Sequence, residues 1–71
     1  MYKQLIYKKR RRNEDSIVNF FELKPILKNE RTSILENNTM RVSIDERVIR
    51  VMLFDENNKD LLAKISLFFY R

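Results

Sequence analysis

The segment that most restricts the possible folds of this chain is one in which polar and apolar residues alternate, Thr39-Met40-Arg41-Val42-Ser43-Ile44. Successive side chains of a β-strand point to opposite faces, so this pattern predicts a strand with Met40, Val42 and Ile44 on its buried face. Asp45-Glu46 has the composition of a tight turn, and the mostly apolar run Arg47–Phe54 is typical of a central strand. Together these segments predict an antiparallel hairpin.

The segment after this hairpin fits two periodicities. Asp55-Glu56-Asn57-Asn58-Lys59 predicts a turn, and apolar residues then alternate through Leu61, Ala63, Ile65, Leu67 and Phe69. On this alternation we predict a last strand over residues 61–69. A helix that begins at Asp60 is the alternative, because Leu61, Leu62, Ile65 and Phe68 also lie at helical spacing.

The N-terminal half is predicted to hold one strand and one helix. Residues 2–8 are rich in Tyr, Leu and Ile and predict a first strand. Residues 16–24 predict a helix with Asp15 or Ser16 as N-cap and Pro25 as its stop, and a strand is the alternative there. The polar segment 26–37 predicts no more than a short helical turn.

These elements predict a single domain over residues 1–71 of the α+β class. Its small antiparallel sheet has about four strands, with one short helix after the first strand (β-α-β-β-β), and an all-β fold is the alternative. A chain of 71 residues buries only about 60% of the surface that it exposes when unfolded, so its core is small. A free edge strand in such a sheet favours self-association without selecting a partner.

The composition excludes several classes of function. The chain has no cysteine and no histidine, which excludes thiol chemistry, cysteine-bound zinc and any mechanism that depends on an imidazole base. It has no glycine, so glycine-rich phosphate-binding loops are excluded as well. We therefore expect neither a cofactor nor a metal. No segment approaches the roughly 20 apolar residues of a membrane helix. We expect a cytoplasmic protein with no membrane partner, since the lack of cysteine favours a reducing compartment.

Positive charge is concentrated at the start of the chain. The formal net charge is +5, and the first dozen residues contain six Lys or Arg side chains and no acid. Five of these cations form a continuous run, Lys8-Lys9-Arg10-Arg11-Arg12. Clustered cations release counterions when they meet a polyanion, so the run predicts a nucleic-acid-binding patch. A solvated loop is the alternative interpretation.

A second set of cations follows from the predicted strand register. A two-residue turn at Asp45-Glu46 pairs Arg41 with Arg50, and matching the core faces of the next hairpin pairs Arg50 with Lys64. Like charges that lie directly opposite each other are destabilising, which suggests a functional reason for such a row. The same face would carry Ser43, Ser66, Phe68 and Tyr70, and rings beside cations suit single-stranded RNA. An ordinary solvated sheet face is the alternative.

The stretch Met40–Lys59 resembles the central hairpin of RelE/HigB-type toxins, in which an Arg-bearing strand turns tightly into a strand of the form Arg-apolar-apolar-apolar. The N-terminal Met-Tyr-Lys strand and residues 16–23 resemble the opening strand and first helix of the phage-type branch. The resemblance implies a domain that cleaves mRNA, often on the ribosome, and is neutralised by an antitoxin. It also implies that Arg41 and Arg50 hold phosphates and that Tyr70 or Arg71 lies near the catalytic end.

These observations predict a small basic protein that acts on RNA or the ribosome, either as a toxin-like mRNA endonuclease or as an RNA binder. In the first case the catalytic residues would be Arg41, Arg50, Lys64 and Tyr70. The family's second helix and its pair of histidines or lysines before the C-terminus are missing here. The prediction therefore includes a relative of this family that binds RNA without cutting it. The alternative is a phage or mobile-element protein that binds and inhibits a host protein.

Overall fold

The computed structural model describes residues 3–10 and 12–70. Its elements follow the order β1 (Lys3–Lys8), α1 (Glu14–Phe21), β2 (Lys24–Lys28), β3 (Ser33–Glu36), β4 (Met40–Ile44), β5 (Val48–Leu53) and α2 (Lys59–Phe69). The α+β class and the antiparallel sheet are confirmed. A first strand, a first helix and a central hairpin are present, but their bounds or register differ from those predicted, and residue 2 of the predicted strand 2–8 lies outside the described residues. The described residues contain five strands and two helices, however, where the sequence predicted about four strands and one helix.

The five strands form one antiparallel sheet in the order β1-β5-β4-β3-β2. Both helices pack on one face of this sheet, where Ile17 and Phe21 of α1 and Ile65 of α2 join a single apolar core. The alternating residues Met40, Val42 and Ile44 lie in that core, as predicted. We call the opposite face of the sheet, on which no described helix packs, the open face.

The C-terminal segment is helical, so the predicted strand over residues 61–69 is wrong and the helical alternative is right. Leu61, Ile65 and Phe69 are buried at a spacing of four residues, whereas Ala63 and Leu67 are exposed. The side chain of Asn58 caps the helix, because its Oδ1 accepts the backbone N–H of Leu61 at 3.1 Å.

Helix α1 confirms the helix predicted after the first strand, but both of its ends differ from the prediction. Asn13, and not Asp15 or Ser16, is the N-cap, since its Oδ1 accepts the N–H of Ser16 at 2.7 Å. The helix ends at Phe21, before Pro25, because Glu22 adopts the left-handed conformation with φ 56°. Glycine is the usual residue at that position, and this chain has none.

Residues 24–36 form a hairpin, not the short helical turn that the sequence predicted. Strands β2 and β3 pair around a turn in which Asn29 Oδ1 accepts the N–H groups of Arg31 and Thr32. Strand β2 is an edge strand that contains Pro25 and an irregularity in its register between Pro25 and Leu27. Proline is tolerated there because an edge strand leaves alternate N–H groups unpaired.

The hairpin of β4 and β5 turns one residue later than predicted. Asp45 takes the first position of the turn, and its Oδ1 accepts the N–H groups of Arg47 and Val48, both at 2.8 Å. Aspartate favours this position for that reason. The register therefore moves by two residues, so that Arg41 lies opposite Met52 and Arg50 opposite Ser43. A shift of two keeps every side chain on its predicted face.

Candidate nucleic-acid interface

A cleft of about 330 Å³ lies between the end of β1, the chain that follows it, and the C-terminal end of α2. We call it the basic-aromatic cleft; its described lining residues are Ile6, Tyr7, Lys8, Arg10, Arg12, Phe69 and Tyr70. Three of them are cations, three carry aromatic rings, and none of them carries a carboxylate. The cleft thus joins two groups of residues that the sequence analysis had assigned to separate sites.

Aromatic stacking between the first strand and the last helix builds one wall of the cleft. The rings of Tyr7 and Phe69 are parallel within 1° with their centroids 4.2 Å apart. Phe69 is buried in the core, so this contact fixes the end of α2 against β1. Tyr70 follows directly and meets Tyr7 edge to face at 5.5 Å, yet it remains 71% exposed. Its ring is therefore held in place and available for stacking.

Arg12 connects the same two elements through its guanidinium. Its Nη1 donates to the carbonyl oxygen of Lys8 at 2.7 Å, and its Nη2 donates to the carbonyl oxygen of Phe69 at 2.6 Å. The guanidinium also lies 5.1 Å from the centroid of the Phe69 ring, within the range of a cation–π contact. A cation at the C-terminal end of a helix interacts favourably with its dipole. Arg12 therefore has a structural role in this cleft.

The hydroxyl group of Tyr7 stays protonated at neutral pH. Burial raises the pKa of Tyr7 from 10.0 to about 12, and its hydrogen bond with Tyr70 acts in the same direction. The charge of Arg12 opposes this shift of the pKa but does not outweigh it. The phenol is thus a neutral hydrogen-bonding group, and the positive charge of the cleft is not offset by a phenolate.

The described residues of the predicted basic run are divided between two clefts. Lys8 and Arg10 are exposed in the basic-aromatic cleft, and the ion pairs of the described residues involve other cations. Lys9 is half-buried and lines a different cleft. The pKa of the Glu14 carboxyl in that cleft is lowered mainly by a hydrogen bond with Ser33, then by Lys28, and least by the charge of Lys9. Arg12 is engaged in the contacts described above, and Arg11 lies outside the described residues.

The predicted row of Arg41, Arg50 and Lys64 does not exist. Arg41 and Arg50 share the open face, but Arg41 is paired with Glu36 at 2.7 Å and Arg50 with Asp45 at 3.1 Å. Lys64 lies on α2, on the other side of the sheet, where its ammonium is 5.4 Å from the ring centroid of Phe20. The register prediction failed at the turn, and Lys64 was placed in a strand that is a helix.

Tyr70 is separated from that row as well, because the helix carries it to the basic-aromatic cleft. Ser66 is exposed on α2 and Phe68 is half-buried against the core, so neither lies on the sheet face that was predicted for them. Ser43 does lie on the open face, opposite Arg50. Arg71, which the resemblance placed near the catalytic end, is outside the described residues.

The described residues contain no group of three or more carboxylate, imidazole or thiol side chains that could hold a metal ion. None of the helices in the described part of the chain has the length and apolar character needed to cross a bilayer.

Comparisons of this chain with protein-family models, with curated proteins and with solved structures found no match.

Sequence reasoning missed the role of Tyr7 and Phe69, which build the wall from which Tyr70 projects. One signal was present in the sequence: Phe69 lies eight residues after Leu61 and four after Ile65, so a helical assignment places all three on the buried stripe. The partner strand of that stripe cannot be identified from spacing alone.

Proposed function

We propose that this protein binds single-stranded RNA at the basic-aromatic cleft. The observation that carries the proposal is the placement of the exposed Tyr70 ring beside Lys8 and Arg10 in a cleft whose described lining contains no carboxylate. Cations that follow a backbone beside rings that stack on bases are the usual means of holding a single strand.

Each part of the cleft has a distinct task in this proposal. Tyr70 stacks on one base, an interaction that contributes about 1–3 kcal/mol when measured by alanine substitution. Lys8 and Arg10 contact phosphates, and each contact to a single strand contributes about 0.7 to the slope of log K against log salt concentration. Arg12 holds the wall of the cleft and adds positive potential.

The proposal concerns binding and not cleavage. A nuclease needs preorganised charges around the phosphate that reacts. The predicted set of Arg41, Arg50, Lys64 and Tyr70 is distributed over the open face, the outer side of α2 and the basic-aromatic cleft. We therefore retain the toxin-like hypothesis only in its non-catalytic form, in which the protein binds RNA or the ribosome.

Fluorescence anisotropy with a labelled single-stranded RNA, at several salt concentrations, tests this proposal. We expect the double variant Lys8→Gln, Arg10→Asn to reduce the salt slope by about 1.4, since two contacts are lost. Asparagine is chosen at position 10 because Arg10 has φ 48° and asparagine tolerates that conformation. The matched control, Lys24→Gln with Lys59→Gln, removes the same charge from exposed positions outside the cleft.

The role of stacking is tested at Tyr70 by the same assay. Tyr70→Ala should cost about 1–3 kcal/mol of binding free energy, whereas Tyr70→Phe keeps the ring and should cost much less. If the control double variant reduces the salt slope as much as the cleft variant, net charge alone explains the binding. If Tyr70→Ala binds like the wild-type chain, no base stacks there. Either result would refute the proposed site.

A second candidate function is the binding of a host protein, and the open face favours it. This face exposes large apolar side chains, with Ile6 61% and Leu27 49% accessible, and the half-buried Ile34, Val48 and Met52 lie between them. The ion pairs of Arg41 and Arg50 neutralise the two arginines on this face, which suits a protein surface better than a polyanion. A photocrosslinker at Met52 should then capture a protein partner, and one at Leu67 on α2 should not.

A further inference from the structure

The two edges of the sheet differ in how they are protected. Edge strand β2 contains Pro25, which has no N–H group, and an irregularity in register beside it. Both devices prevent another strand from pairing with an edge. Edge strand β1 contains no proline and pairs with β5 over six consecutive residues without any shift. The open edge of β1 is therefore the regular one.

The hydrogen-bonding groups of Gln4 and Ile6 point away from the sheet at this edge. In an antiparallel pair, every second residue bonds to the neighbouring strand. The N–H of Lys9 bonds to the carbonyl oxygen of Arg47, so the odd-numbered residues of β1 face β5 and the even-numbered residues face outward. The outward carbonyl of Lys8 is taken by Arg12, which leaves the edge open along Gln4 and Ile6.

The described residues of this edge strand carry positive charge and no acid. Residues 3–10 contain Lys3, Lys8, Lys9 and Arg10, and the adjoining strand is preceded by Arg47, whereas Arg50 within it is paired with Asp45. Two copies of β1 that paired with each other would bring two cationic segments together, which is unfavourable. A strand that carries carboxylates would instead be attracted to these cations.

We propose that the outer edge of β1 binds an extended acidic segment of another protein by adding it to the sheet as a sixth strand. Main-chain hydrogen bonds to Gln4 and Ile6 would provide affinity, as in other cases of strand addition. Ile6 is 61% exposed on the open face, so it packs against an apolar side chain of the incoming strand. Lys8 lies on the same face two residues further along. The segment therefore carries a carboxylate two residues from its apolar anchor.

This inference does not rest on RNA binding, and position 4 separates the two. Gln4 does not line the basic-aromatic cleft, and its N–H points outward, so Gln4→Pro removes a donor at the edge without removing a bond to β5. Gln4→Thr is the matched control, because it changes the side chain and keeps the N–H. Preserved amide-exchange protection of Leu5 and Tyr7 would show that β1 is intact in both variants.

The test is a selection from a random library of displayed peptides, each about six residues long like a typical strand, on the complete chain. We expect enriched peptides in which an acidic residue lies two positions from a β-branched or aromatic one. These peptides should bind Gln4→Pro at least roughly tenfold more weakly than Gln4→Thr, since a backbone hydrogen bond is lost and the proline ring obstructs the edge. RNA affinity should be the same in both variants.

A second variant keeps the test decisive if Gln4→Pro fails to fold. Lys8→Glu reverses the charge two residues from Ile6 and should abolish the enrichment of an acidic residue two positions from the apolar anchor. Three results overturn the proposal: no enrichment of acidic peptides, equal binding to both variants of Gln4, or acidic selection that persists in Lys8→Glu. If sedimentation shows that the wild-type chain forms a dimer and that Gln4→Pro does not, the edge binds a second copy of the chain and the proposal is also overturned.

Discussion

Replacement of Arg12 by alanine should lower the free energy of unfolding by about 2–3 kcal/mol. The guanidinium donates to the carbonyl oxygens of Lys8 and Phe69 at 2.7 and 2.6 Å. A hydrogen bond to a charged group contributes about 1.5–3 kcal/mol when buried, and Arg12 is half-exposed, so about 1 kcal/mol for each bond is appropriate. The contact with the Phe69 ring adds about 0.5–1 kcal/mol.

Urea unfolding followed by circular dichroism measures this loss. Arg12→Lys keeps the charge, but an ammonium cannot span both carbonyls as the planar guanidinium does, so we expect about half of the loss. Lys8→Ala removes a neighbouring exposed cation and should change the free energy of unfolding by no more than about 0.5 kcal/mol. If Arg12→Ala is as stable as Lys8→Ala, the connection between β1 and α2 contributes nothing and the account of the cleft wall is wrong.

The same variants separate the structural role of Arg12 from a role in RNA binding. A guanidinium that is occupied by two carbonyls contributes long-range potential but no direct phosphate contact. Arg12→Lys should therefore leave the salt slope of RNA binding unchanged, whereas the cleft variant Lys8→Gln, Arg10→Asn reduces it. A reduced slope in Arg12→Lys would mean that RNA displaces the carbonyl contacts.

Three further predictions concern stability. Tyr7 has a folded-state pKa of about 12 against 10.0 for the free side chain, so its contribution to stability is complete below pH 10.0 and is lost as the pH rises towards 12. Urea unfolding across this range should show a smaller decline for Tyr7→Phe. The side chain of Asn37 donates to the Phe21 carbonyl and accepts from the backbone of Met40, so Asn37→Ala should cost about 2 kcal/mol in urea unfolding. Glu22→Gly should raise the thermal midpoint, because the left-handed conformation costs a residue with a Cβ about 1–2 kcal/mol, which exceeds the entropy cost of glycine of about 0.5–1 kcal/mol.

The sequence predicted best where one face of an element is buried and the other is solvated. Met40, Val42 and Ile44 were assigned to the core from alternation alone, and all three are buried. It predicted less well in residues 24–36, where β2 is exposed along its whole length. An edge strand that buries little has no alternating pattern, so only its pairing with β3 defines it.

The C-terminal segment shows how two periods can coexist in one sequence. Leu61, Ile65 and Phe69 satisfy both an alternation of two and a helical spacing of four. The cap at Asn58 decides between them, since a side chain that accepts the N–H of Leu61 begins a helix and has no such role before a strand. Cap residues therefore deserve more weight than apolar alternation when both patterns fit.

The candidate site depends on that one decision. With residues 61–69 as a strand, Tyr70 would extend the sheet and share a face with Lys64. As a helix, the same residues bring Phe69 onto the ring of Tyr7, and the residue that follows must emerge beside Lys8 and Arg10. The stacking of Tyr7 on Phe69 joins residues at opposite ends of the chain, and no local pattern encodes such a contact. A cleft assembled in this way becomes visible only after the helices are packed on the sheet, although the sequence had already singled out its cations for their charge and Tyr70 for its ring.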